Sequence, residues 1–408
     1  MKNDYTKTVR ACFMSYIVQA IINNFVPLLF LTFQAEYGIS LSRITMLVTV
    51  NFGVQLLVDF LSAGFIDRIG YRASILTAHV LCALGLISLT VLPGVFPQSW
   101  VGLLTAVVIY AAGGGLLEVL VSPIVEACPT DNKEKAMSML HSFYCWGHVS
   151  VVLLSTLFFS LFGLGGWKLL ALFWALIPVA NILMFIKVPI APLVEGTDGL
   201  TLKALTGKKV FWVFMLFMVC AGASEQAVSQ WASAFAEKGL GVSKTVGDLA
   251  GPMLFAGMMG ISRAVYGKYG EKMNLQKTMA ASGLLCIGSY FLISLSSNPV
   301  LGLAGCGICG FSVGIMWPGT FSMASAAIRG GGTAMFAFLA LAGDLGCSGG
   351  PTLVGLVSGH FNGDLKTGIL AAVLFPVILV IGLIRFLMMG DRNNVLNKND
   401  GEQIKYDI

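Results

Sequence analysis

Twelve apolar runs, separated by short polar links, constrain this chain more than any other feature. They fall at about 8–34, 42–66, 73–92, 99–127, 135–162, 167–187, 209–236, 244–266, 277–296, 299–327, 333–360 and 367–389. A helix that crosses the hydrocarbon layer of a bilayer needs ~20 mostly apolar residues. The whole chain of 408 residues is 56% hydrophobic and 11% charged, where a soluble domain has ~25% charged residues. A water-soluble fold of this size has too little polar surface to cover so much apolar area. The expected fold class is therefore an all-α membrane protein, with twelve transmembrane helices in two pseudo-symmetric six-helix bundles. The first run is too long for a cleavable leader and has no small-residue cleavage site behind it.

Basic residues set the orientation, because cytoplasmic loops carry an excess of Lys and Arg. With the N-terminus inside, 20 of the 25 basic residues fall on the inner ends and loops, Arg68, Arg72, Lys187, Arg263 and Lys272 among them. Arg43, Lys168, Lys238, Lys244 and Lys366 fall outside. Both termini are thus expected in the cytoplasm and the protein in the plasma (cell inner) membrane. The longest internal polar segment divides the spans six and six, giving an N-terminal bundle at 1–187, a linker at 188–208, a C-terminal bundle at 209–391 and a polar tail at 392–408. The halves resemble each other. Span 4 holds Gly113-Gly114-Gly115 and then Pro123, while span 10 holds Gly307, Gly310, Gly314 and then Pro318. Two six-helix halves around a central path is the repeat logic of many secondary transporters.

An ionisable group at membrane depth costs several kcal/mol and normally faces a cavity or a partner. Spans 3, 6, 9 and 12 have no carboxylate inside them and read as lipid-facing supports, whereas Asp59, Glu118, Glu225 and Asp344 sit within other spans. Helical spacing aligns Gln19 and Asn23 in span 1, and His141 and Tyr144 in span 5. Glu118 and His141 lie at similar depth, ~10 Å from the inner ends of adjacent antiparallel spans, so they are expected to meet. Glu225 with Gln226 and Gln230 offers a carboxylate and amides to a polyhydroxylated solute, whose hydroxyls both donate and accept. Trp317 can cover a sugar ring. Asp344 needs a partner outside its own helix or else binds protons itself. Asp59 lies nearer the cytoplasmic end and is expected in the gate. His79 reads as a packing residue. The nine Cys, the Cys306-x-x-Cys309 pair included, lie in apolar stretches without a disulfide pattern or nearby His.

The loop after span 2, Gly64-x-x-Asp67-Arg68-x-Gly70-Tyr71-Arg72, resembles the signature of the major facilitator superfamily. That resemblance implies that Asp59, Gly64, Asp67, Arg68, Gly70 and Arg72 belong to a cytoplasmic gate. It also implies that spans 1, 4, 7 and 10 line the path. Tyr71 stands where the family usually has a basic residue. Within the superfamily, Gly113 to Pro123 followed by Leu140 to Gly147 is similar to the fucose/glucose/galactose proton-symporter family. There the span 4 Glu is linked to sugar and proton, which implies both roles for Glu118. Ser122 here replaces the family's Asn, and Gly147-His148 its Gly-Pro pair.

The expected function is secondary active transport of a small polar solute, as a proton-coupled sugar symporter working by alternating access. The alternative is a proton-driven drug or metabolite exporter, whose Gly-Pro signature in span 5 is missing. No Gly-x-x-x-x-Gly-Lys-Ser/Thr loop or His-Glu-x-x-His pair occurs, and the chain has only four His. No enzyme activity, cofactor, metal or nucleic acid is therefore expected. The expected partners are the solute, protons and the lipid bilayer, with the monomer as the working unit.

Overall fold

The computed structural model describes residues 5–129, 133–191, 200, 202–269, 273–328, 332–386 and 388. Within them, the side chains at 63–65, 67–68, 126, 133–138, 202, 267–268 and 332–334 lie outside the description. The protein is an all-α membrane protein, without strands among the described residues. Its long helices are α1 (Thr6–Tyr37), α2 (Leu41–Ile69), α3 (Tyr71–Val95), α4 (Ser99–Ala127), α5 (Lys133–Phe162), α6 (Trp167–Lys187), α7 (Lys209–Ser229), α8 (244–269), α9 (Leu275–Leu295), α10 (Pro299–Ala327), α11 (Gly332–His360) and α12 (Leu365–Phe386). By length and composition, 11 helices among the described residues can cross a membrane. The other long helix, α8, runs from Lys244 through a widened turn at Leu249–Met253 to Tyr269, and it contains Lys244, Asp248 and Arg263. Inner and outer below follow the orientation expected from the basic residues.

Helix ends follow local chemistry. Ser40, Asn274 and Asp364 each accept a backbone N–H at the start of α2, α9 and α12, satisfying donors that a helix leaves free. Gly70 joins α2 to α3 with φ +89°, a conformation that favours glycine. Interruptions fall on particular helices: α1 has a tight turn at Val26–Leu29 around Pro27, α7 continues past Ser229 only in short pieces, and α10 breaks between Val313 and Met316. The interruptions in α1 and α7 fall at equivalent positions in the two halves.

Burial singles out four helices, since α2 and α5, at 39% and 44%, fall in the same range as α3, α6, α9 and α12. The most apolar stretches of α1, α4, α7 and α10 are 78%, 61%, 67% and 67% buried, against 44% for α3 and 39% for each of α6, α9 and α12. The four peripheral helices expose stripes at helical spacing, such as Leu172, Leu176, Val179, Leu183 and Ile186 on α6. Acyl chains are the medium that such stripes fit.

Packing repeats between the first six and last six helices. The pairs α3–α4, α2–α4, α1–α5 and α3–α6 recur as α9–α10, α8–α10, α7–α11 and α9–α12. The halves meet along α2–α11 and α5–α8. Small residues permit the close crossings. A Cβ added at Gly115 would lie 2.9 Å from the Gln55 carbonyl oxygen and 3.0 Å from Val58, which locks α4 onto α2. On the α2–α11 seam, a Cβ at Gly355 would run into Thr45, Thr49 and Thr352 share a 2.5 Å hydroxyl bond, and Ser348 donates to the Thr49 carbonyl at 3.3 Å.

A second clasp closes the outer side. Lys244, expected in an outer loop, donates instead to the Leu28 carbonyl of α1 at 2.6 Å, to Ser233 at 2.8 Å and to the fully buried Asp248 at 2.8 Å. Glu237 lies 3.2 Å from the same ammonium, and Thr156 of α5 donates to Asp248 at 3.3 Å. Removing one partner of a buried ion pair leaves the other charge uncompensated, at about 3–5 kcal/mol. Lys244→Met is therefore expected to lower the apparent unfolding temperature by several degrees in detergent. Lys244→Met/Asp248→Leu, which removes both charges, should recover much of that loss. A single variant as stable as the wild type would contradict the clasp.

Candidate functional site

Depth along three helices brings three acids together. Asp59 is ten residues before the inner end of α2, Glu118 nine before the inner end of α4 and Asp344 twelve after the first residue of α11. At ~1.5 Å per residue these positions share one level of the membrane. One carboxylate oxygen from each lies within 4.8 Å of the other two. Asp59 and Glu118 come from the first half and Asp344 from the second. Among the described residues, no Lys or Arg forms an ion pair with any of the three. The Asp59 Oδ1 and Asp344 Oδ2 atoms are buried without a hydrogen-bond partner, and Asp344 is 5% exposed.

The structure places Asp59, expected in the gate, in this acid cluster. Because α2 continues to Ile69, residue 59 lies about three turns from that helix's inner end. The structure also corrects the expected Glu118–His141 pair. Their depths do match, but the faces differ. Glu118 accepts from Gln19 at 3.3 Å, while the His141 ring lies against Tyr16 with centroids 5.5 Å apart. No hydrogen bond joins Glu118 to His141 among the described residues.

From Glu118 a continuous line of hydrogen bonds crosses to the second half. The Gln19 amide that donates to Glu118 also donates to Gln55 at 2.8 Å, and Gln55 donates to the Asn23 side chain at 2.9 Å. Gln230 of the second half donates to the Asn23 carbonyl at 3.0 Å and to Gln226 at 3.0 Å. Gln226 in turn donates to Glu225 at 3.1 Å. The line ends on Arg263 of α8, whose guanidinium lies 3.5 Å from Glu225, donates to Cys145 Sγ of α5 at 3.2 Å and to the Gly314 carbonyl at 3.4 Å. Every amide in it is more than nine-tenths buried.

Three participants went unrecognised in the sequence. Arg263 was expected at the cytoplasmic end, but α8 extends to Tyr269 and leaves it more than a turn inside, with a side chain long enough to reach Glu225. Its place within the apolar run was the available signal. Asn51, which donates to Asn23 at 3.1 Å, and Asn24, which donates to Tyr144 at 3.4 Å, carry no pattern that marks them. Gln55 shares a helical face with Asp59, which did mark it as polar.

The remaining expected residues lie around this line. Tyr16 pairs with Ser122 at 3.2 Å, beside His141. Trp317 lies across Gly343, next to Asp344, where any Cβ would strike its ring. Trp231 is fully buried, with its indole nitrogen bonded to the Pro351 carbonyl at 2.9 Å, so it packs rather than faces a path. His79 is bonded to Ile75, Ser15 and Asn181 in the support layer. All nine Cys are buried free thiols. At the expected gate, Arg72 donates to the carbonyls of Phe185, Ile186 and Val188 at the end of α6. The side chains of Asp67 and Arg68, and the environment of Gly64, lie outside the described residues.

On the outer side of the line, Asn23, Asn51, Gln230, Tyr110 and apolar neighbours leave a void of only about 10 Å³. That is room for about one water. A buried carboxylate cluster, a string of amides and an Arg–Glu pair can together recognise hydroxyls and hold protons, with the outside sealed off.

Known proteins place this geometry. Among solved structures, the chain is similar to the E. coli fucose:proton symporter, at 17% identity and TM-score 0.65, with 94% of this chain and 99% of that chain covered. It is similar to a D-xylose-proton symporter at 13% identity and TM-score 0.76, covering 93% and 97%. A third likeness is to the nucleoside transporter NupG, at 13% identity and TM-score 0.72, covering 93% and 99%. At these identities the likeness establishes the fold alone. No curated protein sequence matches the chain. The family model described as Major Facilitator Superfamily matches residues 11–351. The chain therefore belongs to the major facilitator superfamily of membrane transporters.

Proposed function

We propose that the protein is a proton-coupled symporter of a small polar solute of the sugar class, working by alternating access in the plasma membrane with both termini cytoplasmic. The observation that carries this reading is the Asp59–Glu118–Asp344 cluster, formed across the two halves with no Lys or Arg paired to it among the described residues. Carboxylates that close repel one another strongly where water is scarce. Protons are the simplest charges that let them meet. The cluster assembles only when α2 and α11 come together, which is when the outer side is shut. Protonation thus favours the outer-closed state, and proton release favours its opening.

The solute is read by the other end of the line. Glu225, Gln226, Gln230, Gln19 and Asn23 supply acceptors and donors in the mixture that hydroxyl groups need. Arg263 pairs with Glu225 and orients it, while Trp317 offers an apolar ring face beside Asp344. Tyr144 and His141 complete the wall from α5. Each half, 1–187 and 209–391, moves as a body about this centre, and the fucose and xylose symporters of the same fold support a sugar as the class. The monomer contains the full path. Lys and Arg at the inner ends, with Asp67, Arg68, Gly70 and Arg72 at the first repeat's turn, form the inner closure when the outer side opens.

Purified protein in proteoliposomes tests this. An inside-alkaline gradient is expected to drive uptake of one or more labelled sugars, chosen by a thermal-shift screen of sugars, polyols, amino acids and drugs. Glu118→Gln should abolish gradient-driven accumulation while solute counterflow persists, since a permanent neutral mimic still permits closure. Full accumulation by that variant, or accumulation driven by sodium alone, would refute the proton role. Gln226→Ala should raise the KM about tenfold, the loss of roughly one hydrogen bond to a polar partner. Extrusion of a lipophilic drug in exchange for protons, without any sugar effect, would mark an exporter instead.

A further inference from the structure

Away from the central path, four cations line one concavity. Lys7 and Arg10 on α1, Arg72 on α3 and Lys187 at the end of α6 surround a space of about 740 Å³, with Leu183 and Met184 on its wall. Arg72 is committed to the backbone at the end of α6, and Thr8 donates to the Pro189 carbonyl at 2.6 Å, so this wall is held in place. Lys7, Arg10 and Lys187 are exposed. Among the described residues, no carboxylate forms an ion pair with any of these four cations.

An excess of Lys and Arg is expected on the cytoplasmic face. That tendency alone gives no reason for four to line a single hollow, where they repel one another until an anion enters. The place of the hollow identifies the anion. It opens at the inner ends of α3 and α6, which are peripheral helices, and its apolar wall continues into Leu183 and Ile186, 61% and 55% exposed toward the expected hydrocarbon. A soluble anion has no use for that greasy edge. A phospholipid matches both parts.

We propose that this concavity is a headgroup site for an anionic phospholipid of the inner leaflet. Its phosphate sits among Lys7, Arg10 and Lys187 against Arg72, and its acyl chains lie along the α6 stripe. Bound there, the lipid ties the start of α1, which lines the path, to the end of α6 and the linker. Basic residues near a membrane surface each add measurably to attraction for anionic lipid.

Native mass spectrometry and thermal unfolding of the full-length protein in detergent test this site. Phosphatidylglycerol is expected to remain bound one-to-one and to raise the unfolding temperature, whereas phosphatidylcholine and inorganic phosphate are not. Lys7→Ala/Arg10→Ala/Lys187→Ala should weaken phosphatidylglycerol binding by about tenfold or more. Removing three basic residues elsewhere on the expected inner face, with Lys203→Ala/Lys208→Ala/Lys209→Ala, should leave it unchanged. Lys187→Glu alone, at an exposed helix end, should also weaken binding and serves if the triple variant folds poorly. Phosphatidylglycerol binding unaffected by Lys187→Glu, or stabilisation by inorganic phosphate equal to that by the lipid, would overturn the proposal.

Discussion

Two unit charges 4 Å apart repel by about 4 kcal/mol at an effective dielectric of 20 and more in drier surroundings. The Asp59–Glu118–Asp344 cluster sets three such groups at nearly this spacing and draws the third from the opposite half of the molecule. No ion pair among the described residues offsets them. Other features of the centre depend on this arrangement. The α2–α11 seam can be tight only if the acids at its inner end tolerate one another. The threonine and serine contacts higher on that seam, and the Lys244–Asp248 clasp beyond it, also join the two halves.

The two halves treat their buried acids differently. In the second half Glu225 has the Arg263 guanidinium 3.5 Å away and an amide beside it. Among the described residues, the acids of the first half have the Gln19 amide on Glu118 and no Lys or Arg. The three clustered acids and Glu225 thus sit in different electrostatic surroundings. The amide line between them is a physical connection. A change at Glu118 alters the donor available to Gln55 and so the hold on Asn23, whose carbonyl anchors Gln230.

Most of the fold was legible because lipid enforces a simple rule, that a spanning segment be long and apolar. The peripheral helices α3, α6, α9 and α12 were also legible, since absence of buried charge marks a helix with no path to line. Depth could be read from distance to the helix ends, and it placed Glu118 and His141 at the same level. Azimuth could not. Each residue turns a helix by about 100°, so a small error in a boundary or a bend redirects a side chain completely. Glu118 thus faces Gln19 and Asp59 rather than His141. Arg263 escaped for the opposite reason, as the helix runs a few residues further than its apolar pattern and the long side chain reaches back inward. The convergence of Asp59 with Asp344 is a tertiary fact, set by small residues such as Gly355 that let α2 and α11 touch.

The central claim is that closure of the outer side is linked to protons on the three acids. Because the native Cys are all buried, spin labels on Ala35→Cys and Phe361→Cys, at exposed outer positions in opposite halves, report the opening between them by electron–electron resonance. The short distance should dominate at acid pH and give way to a longer one as pH rises, and Asp344→Asn should stay short throughout. A distance distribution independent of pH, or one that shifts equally in Asp344→Asn, would contradict the account.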